Sequence, residues 1–375
     1  MQGELQFGDG SKNGRTVDLP LQSYSYHRPN KRKCWVWNSL PCSSDPREKG
    51  RSFLVGILQP FFQVFRRPNG CAPCQVRAWF HWLDFIKQQG RFCGKDLLYV
   101  GLDETCVRKS DAGSGVVVRR SWWKRNARRP GAREQRAACT FICLCSPDTA
   151  FQGKLPKIWL GNKYTFLQRS LAECKARKPR RVMLWREKSA WTTKRIMLKV
   201  LEAIAASAAE IGAHKQVVLL LDAAPQHIAV EVCREAARLQ IWLCFVPAKL
   251  TFLCQVADTH VFAAMKQTYR HLVQKAKLAS HGLVSDAAWF DMMFFISTSF
   301  LCGRRWQSAF EANGILGDRS TLSRALQEHG FHNWTTPSVD GAIPRPTQEQ
   351  LQSLWPQRKL LPYWELLTPL LPCLD

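Results

Sequence analysis

Three aspartates stand where apolar stretches give way to polar ones: Asp103, Asp222 and Asp258. Asp222 directly follows the apolar run 217–221, which is rich in Val and Leu and predicts a strand buried on both faces. Its carboxylate would then lie at the carboxyl end of the strand, where α/β sheets open into functional crevices. A carboxylate held there is costly unless a cation neutralises it, although an aspartate that caps the following turn is the alternative interpretation.

The other two acids occupy comparable positions. Asp103, followed by Glu104, ends a second apolar run at 97–102, and Asp258 stands at the start of a long amphipathic stretch. Because the strands that carry Asp103 and Asp222 can be neighbours in such a sheet, the two carboxylates can lie side by side. A later helix packed across that edge can supply the third.

Three carboxylates that converge on one point repel each other unless cations occupy the site. Hard divalent ions take carboxylate oxygens as ligands. Two such ions about 3.5–4 Å apart are a known arrangement for in-line attack on phosphodiesters. The acids therefore predict a two-metal site that acts on a nucleic-acid backbone.

The elements that must position these acids follow from hydrophobic periodicity. An α/β fold is predicted, with five strands and flanking helices. The strands are expected at 97–102, 137–145, 157–160, 217–221 and 241–246. Helices are expected at 53–65, 76–89, 191–212 and 226–239, from near 258 onward, and at 304–310 and 322–327. Thr192 or Thr193 is expected to cap the helix at 191–212.

The net charge of +25 indicates a polyanionic partner, and nucleic acid is favoured over an anionic membrane. The stretch 119–136, expected as a hairpin insertion, is strongly basic, and Trp122 and Trp123 are interleaved with its cations. Cations contact phosphates and aromatic rings stack on unpaired bases, whereas a solvated hairpin tip with its tryptophans packed inward is the alternative. The predicted nucleic-acid-binding residues are Arg119, Arg120, Trp122, Trp123, Lys124, Arg125, Arg128, Arg129, Arg133 and Arg136.

Composition argues against several other classes of protein. No apolar run approaches the ~18 residues that a membrane span needs, so no membrane partner is expected. The 15 cysteines are an odd number, which favours reduced thiols over a disulfide framework. Cys71 and Cys74 form a lone CxxC without a second pair nearby, so zinc is not predicted.

Six segments in this order resemble the DDE/DDD transposases of the RNase H-like superfamily, in particular the pogo-like branch of the mariner-type group. The matching segments are LYVGLDET (98–105), FQGKLPKIWLGN (151–162), SAWTTKRI (189–196), LLLDAAPQHI (219–228), FVPAKLTFLCQVADTHVFAAMKQTYR (245–270) and WQSAFEANGIL (306–316). The resemblance implies an RNase H-like mixed five-stranded sheet flanked by helices. A basic hairpin insertion and a helical C-terminal extension are expected to accompany that sheet.

The resemblance also implies roles for individual residues. The family's three catalytic and metal-binding acids fall on Asp103, Asp222 and Asp258. In the family they hold two Mg²⁺ ions, for which Mn²⁺ can substitute. Glu104 is expected to support the site from the opposite face of its strand. His227 is interpreted as a packing or capping residue, and His260 is not predicted to be a ligand.

Two departures from the family pattern concern the neighbours of the acids. Ala223 stands where the family has Asn after the second acid, and Val256 replaces the Pro in the motif before the third. Both changes leave the carboxylates in place but could weaken their positioning, which catalysis tolerates poorly. About 90 residues precede the core, so we expect the family's N-terminal recognition module to be missing or decayed.

The expected organisation is a polar basic segment at 1–50, a helical lead-in at 51–90 and the catalytic core at 91–280, then a helical extension at 281–335 and a Pro-rich tail at 336–375. The leading hypothesis is a nuclear DDE-type transposase or endonuclease that performs metal-dependent phosphodiester hydrolysis and strand transfer on DNA, as a homodimer by resemblance. A catalytically weak, transposase-derived DNA-binding protein is the alternative. An RNase H-like nuclease that acts on RNA or hybrids is a third.

Overall fold

A computed structural model describes residues 72–109, 137–247, 250–280 and 282–328. These residues form a six-stranded sheet in the order β4-β3-β2-β1-β5-β6. The strands are β1 (Asp96–Arg108), β2 (Ala138–Cys145), β3 (Lys157–Asn162), β4 (Val182–Glu187), β5 (Lys215–Leu221) and β6 (Trp242–Phe245).

The sheet is mixed. β1, β2 and β3 run antiparallel in sequence order, whereas β5 and β6 lie on the other side of β1 and run parallel to it. Parallel strands cannot be joined by a tight turn, so the chain passes through a helix between each pair of consecutive strands from β3 to β6. The antiparallel meander, the parallel strands beside it and the flanking helices confirm the predicted α/β class with a mixed sheet.

The described helices pack around the sheet, and none is long and apolar enough to cross a lipid bilayer. They are α1 (Ala72–Phe92), α2 (Thr149–Lys154), α3 (Gln168–Cys174), α4 (Lys194–Ala209), α5 (Val230–Arg238), α6 (Thr251–Cys254), α7 (Phe262–Ala279), α8 (Asp286–Phe295), α9 (Gln307–Ala312) and α10 (Arg324–Glu328). A 3₁₀ turn follows α3 at Lys175–Arg177, and π-helical turns occupy Ala257–Val261 and Ile296–Phe300.

The sequence explains the central elements directly. The six apolar or amide residues Gln216 to Leu221 of β5 are all buried, as a strand covered on both faces requires. On α4, Met197, Leu201 and Ile204 are fully buried at helical spacing. The side chain of Thr193 caps this helix by accepting a hydrogen bond from the amide of Ile196 at 3.4 Å.

The expectation of five strands is wrong by one. The sixth strand, β4, pairs parallel with β3 at the edge of the sheet. Its residues after Val182 are only partly buried or exposed, so VMLWRE lacks the continuous apolar signature of an inner strand. The predicted basic hairpin insertion, with all ten nucleic-acid-binding candidates from Arg119 to Arg136, lies outside the described residues, as do the segments 1–50 and 336–375.

Candidate active site

Asp103 and Asp222 are level with each other at the carboxyl edge of the sheet. β1 pairs with β5 from Asp96↔Lys215 to Gly101↔Leu220, an offset of 119 residues that also separates the two acids. β5 ends at Leu221, so Asp222 is the first residue beyond it, whereas β1 continues to Arg108 with β2 as partner. The sheet therefore brings the two carboxylates to one edge, as the sequence predicted.

Asp103 lies in an environment that disfavours its negative charge. Burial is the largest cause, and the charge of Asp258 is the next, with Glu104 and Asp222 adding to it. Together they raise the pKa of Asp103 to about 8, against one opposing hydrogen bond from the amide of Glu104 at 2.7 Å. At neutral pH, and without a bound cation, this carboxyl group holds a proton much of the time.

Asp258 lies in the π-helical turn Ala257–Val261, at the entrance to α7. Single π-turns are rare and are often found at functional sites. Burial raises the pKa of Asp258, and the charge of Asp222 adds to the increase, against a hydrogen bond from Thr251 and the charge of Lys266. Each of the three predicted acids thus interacts electrostatically with at least one of the others.

Gln255 links the turn that carries Asp258 to β1, the strand that carries Asp103. It is 2 % exposed, and its Nε2 donates to the carbonyl of Leu102 at 3.1 Å, one residue before Asp103. On the other side of Asp258, the hydroxyl of Thr259 donates to the carbonyl of Gln255 at 2.9 Å. The turn that carries Asp258 is therefore fixed to β1 although the family's proline is replaced here by Val256.

His227 joins two acidic side chains at the same edge. It is fully buried, with Nδ1 2.6 Å from Asp222 Oδ1 and Nε2 3.1 Å from Glu104 Oε1. Burial alone would lower the pKa of His227, but the hydrogen bonds and charges of the two carboxylates raise it to about 10. The imidazole is therefore an imidazolium cation that donates from both nitrogens, and its hydrogen bond lowers the pKa of Asp222 despite burial.

The donor chemistry at this edge fits a hard divalent cation, because all three predicted ligands are carboxylates. The elevated pKa of Asp103, which burial and then the neighbouring charges cause, also fits, since a nearby cation would favour the ionised carboxylate. The three acids are not yet arranged as a set of metal ligands. Across the described residues, no three His, Cys, Asp or Glu side chains are grouped so that they could hold a metal ion. Asp222 is engaged by His227 instead.

Sequence analysis missed two contacts of this site: that of His227 with Glu104, and the hydrogen bond from Gln255 to the carbonyl of Leu102. Glu104 was expected to face away, and His227 to pack or cap, yet they meet across 123 residues of sequence. Nothing in the local pattern signals such a pair. Gln255 could have been identified from its place three residues before Asp258 in the family motif. His260 has its Nδ1 2.8 Å from the hydroxyl of Thr259, a contact that does not involve the acids.

Comparison with known proteins finds one matching family, over part of the chain. Residues 140–306 match the family of proteins described as DDE superfamily endonuclease. Asp222 and Asp258 lie within the matched residues, and Asp103 precedes them. The resemblance to the DDE superfamily inferred from the sequence motifs is therefore confirmed over residues 140–306. No match to a curated protein reaches significance.

Solved structures of low identity also align with the chain. One is described as "Mos1 transposase paired-end complex with left transposon end", with 12 % identity, a TM-score of 0.34 and coverage of 72 % of this chain and 68 % of that one. Another is "Crystal structure of the Mos1 mariner paired end complex with Mn", with 14 % identity, a TM-score of 0.32 and coverage of 69 % and 68 %. A third is "Crystal structure of the Mos1 Strand Transfer Complex", with 15 % identity, a TM-score of 0.32 and coverage of 72 % and 68 %.

Proposed function

With residues 140–306 assigned to the DDE superfamily endonucleases, we propose that the chain is a DDE-type transposase or endonuclease. Its reaction is divalent-metal-dependent hydrolysis of DNA phosphodiester bonds, followed by strand transfer. DNA is the proposed partner, in keeping with the net charge of +25. The homodimer and the nuclear localisation stay predictions from the resemblance.

One observation carries this proposal: Asp103, Asp222 and Asp258 gather, partly buried and interacting, at one edge of the sheet. The pKa of Asp103 rises to about 8 because burial acts together with the charges of Asp258, Glu104 and Asp222. Strongly perturbed carboxyl groups that gather at the carboxyl end of a sheet mark candidate functional sites. Repulsion of this kind is a cost to the fold, and cation binding offsets it.

The residues of the chain divide the work. Asp103, Asp222 and Asp258 supply the oxygen ligands, and a bound pair of divalent ions would activate the attacking oxygen and stabilise the leaving one. The hydrogen bond from Gln255 to the carbonyl of Leu102 fixes the turn that carries Asp258 to the strand that carries Asp103. His227 orients the Asp222 carboxylate through the 2.6 Å contact and neutralises part of its charge.

A second candidate function is a DNA-binding protein that retains the fold and cuts little. The observation that favours it is the engaged state of Asp222, which His227 holds while the described residues offer no ready group of three ligands. On this hypothesis the positive charge of His227 takes the place of a bound metal ion, and the acids serve the fold rather than catalysis.

Cleavage of supercoiled plasmid by the full chain in Mn²⁺ separates the two functions. We expect the wild type to nick the plasmid, and we expect Asp222→Asn and Asp258→Asn each to reduce nicking by at least about a hundredfold. Asp258 is included because Thr251, rather than His227, is the hydrogen-bond partner that affects its pKa. Asp291→Asn, which removes an exposed carboxylate paired with Arg177, is the matched control and should cut like the wild type.

The outcomes are distinct. Nicking that disappears in both variants and persists in the control supports the enzyme. Equal nicking by all four proteins would point to a contaminating nuclease and contradict the proposed site. Tight DNA binding without nicking by any of them would leave the binding protein as the function of this chain.

A further inference from the structure

Trp191 is the most exposed large apolar side chain among the described residues. It is 81 % exposed and lies in the loop 188–193 between β4 and α4. An indole left in water forgoes the stabilisation that burial would give, and a single exposed residue of this kind is not unusual on its own. Trp191 is distinguished by the fixed loop that carries it, by the edge of the sheet at which that loop lies, and by the cations near it in sequence.

The loop is fixed rather than loosely attached. The amide of Trp191 donates to the hydroxyl of Ser189 at 3.0 Å, and the carbonyl of Ala190 accepts from the hydroxyl of Thr140 on β2. Thr193 caps the first turn of α4 directly afterwards. The backbone on both sides of Trp191 is therefore held, so little backbone entropy is lost when a ligand stacks on the indole.

The loop lies at the edge of the sheet that carries the acids. β4 runs parallel to β3, β3 antiparallel to β2, and β2 antiparallel to β1, so β4 and β1 end at the same edge. Thr140, which holds the loop, pairs with Cys106, three residues beyond Asp103 on β1. At about 3.3 Å per residue and 4.8 Å per strand, Trp191 lies on the order of 15 Å from Asp103.

Cations predominate in the sequence on both sides of Trp191. The loop and the first turns of α4 carry Lys188, Lys194, Arg195 and Lys199 against one acid, Glu187. Glu187 pairs with Arg195 and Lys199, and Lys194 pairs with Glu231 on α5. Such exposed pairs are weak, and phosphates can compete with the carboxylates for these cations.

We propose that Trp191 is a stacking platform for an unpaired DNA base close to the cut, with the surrounding cations on the adjoining phosphates. An exposed indole on a fixed loop, with cations near it in sequence, is a combination suited to single-stranded nucleic acid. A span of ~15 Å corresponds to about four or five nucleotides of a strand, so the stacked base belongs to the strand end that strand cleavage would release. The inference rests on the proposed function because it takes the acids at this edge as the place of cutting.

The test measures DNA affinity of the full chain by fluorescence anisotropy in EDTA, so that cleavage plays no part. The probes are a fully paired duplex and the same duplex with a short single-stranded tail. We expect Trp191→Ala to weaken binding of the tailed DNA by about tenfold and to leave the paired duplex within about twofold. Trp191→Phe should keep most of the affinity, because a phenyl ring also stacks.

Phe92→Ala is the matched control. Phe92 is 62 % exposed at the end of α1, just before β1 begins, and so lies at the opposite edge of the sheet. Its loss should change neither affinity. Equal affinities of Trp191→Ala and the wild type for the tailed DNA would overturn the proposal. So would a Trp191→Ala variant that loses self-association in sedimentation but keeps its DNA affinity, because the surface would then serve a second copy of the chain.

This test fails independently of the proposed function. If the wild type binds the tailed DNA and Trp191→Ala binds it equally well, only the stacking role is lost. If the wild type binds neither DNA, both the stacking role and the DNA-directed function are overturned. Plasmid nicking in Mn²⁺ with unchanged affinity in Trp191→Ala would keep the enzyme and remove the platform.

Discussion

At the scale of single residues, the ionisation of Asp103 contributes a pH-dependent term to the stability of the metal-free protein. Its pKa in the folded state is about 8, against an ordinary value of 3.8, so between these pH values the folded state retains a proton that the unfolded chain releases. The free energy of unfolding therefore falls as the pH rises from about 4 to about 8. This dependence is the electrostatic cost of keeping the acids together.

Asp103→Asn should remove that cost. We expect the variant to be more stable than the wild type at pH 8 in EDTA by about 1–3 kcal/mol, and the difference to shrink toward pH 5. Urea unfolding at the two pH values measures it. Asp96→Asn, at the 67 % exposed start of the same strand, is the control and should leave this slope unchanged. A variant less stable than the wild type at pH 8 would contradict the account.

His227 also makes the protein less stable as the pH rises, but over a higher range of pH and because a favourable charge is lost. Its pKa is raised from 6.5 to about 10, so its contribution to stability is fully present below about 6.5 and is lost as the pH rises through 10. His227→Ala leaves two carboxylates without their buried partner and should cost about 3 kcal/mol at pH 6. The cost should be smaller at pH 10. His214→Ala, which removes a 61 % exposed imidazole, should change stability by less than about 0.5 kcal/mol at either pH.

Sequence reasoning reached the three acids but not the contacts that hold them. Asp103 and Asp222 could be predicted as neighbours because each ends an apolar run, and the pairing offset of β1 and β5 equals their spacing. The contact of His227 with Glu104 depends on the path of the chain after β5, over 123 residues of separation. No local pattern encodes such a distance.

At the scale of elements, a buried ion pair joins α1 to the segment after α9. Arg319 donates to both carboxylate oxygens of Asp84, at 2.8 and 2.6 Å, and its guanidinium stacks on the ring of Phe80 at 4.4 Å. Both charged residues are almost completely buried. Arg319 also adopts a positive φ of 64°, an uncommon backbone conformation for a residue other than glycine.

Removal of one partner from this pair should be costly. We expect Asp84→Ala to lower the free energy of unfolding by about 3–5 kcal/mol, because it leaves a buried guanidinium without its carboxylate. Urea titration of the full chain measures the loss. Asp291→Ala breaks the exposed pair with Arg177 and should cost less than about 1 kcal/mol. Equal losses in the two variants would show that the buried pair has no special role.

Elements with strong periodicity or a continuous apolar run were predictable, and the edge strand β4 was not. α4 and the inner strands β1, β2 and β5 follow from their apolar residues, because burial on both faces leaves a continuous signature. β4 was missed because an edge strand needs apolar residues at only some positions. Helix bounds also shifted: the predicted helix 191–212 begins at Lys194, since Thr193 is its cap.

At the scale of the whole molecule, the net charge of +25 should govern affinity for DNA. Each phosphate that a cation neutralises releases counterions, so the logarithm of affinity falls linearly with the logarithm of salt concentration. We expect a slope of about −5 or steeper for the wild type. Arg128→Gln with Arg129→Gln should make the slope shallower by about 2, whereas Arg324→Gln on α10 should not change it. A slope near zero would refute DNA as the partner.

One consequence of the strand lengths is mechanical. After Leu102, β1 leaves β5 behind, and among the described residues its last part pairs with β2 alone as far as Arg108↔Ala138. These paired residues form a two-stranded ribbon about 20 Å long, and Asp103 lies at its inner end. The hydroxyl of Tyr269 donates to the carbonyl of Arg108 at 2.8 Å, and Lys109 pairs with Asp286, so the outer end is braced against α7 and α8. A pull applied to the chain beyond Lys109 is therefore shared with two helices before it can displace the first acid.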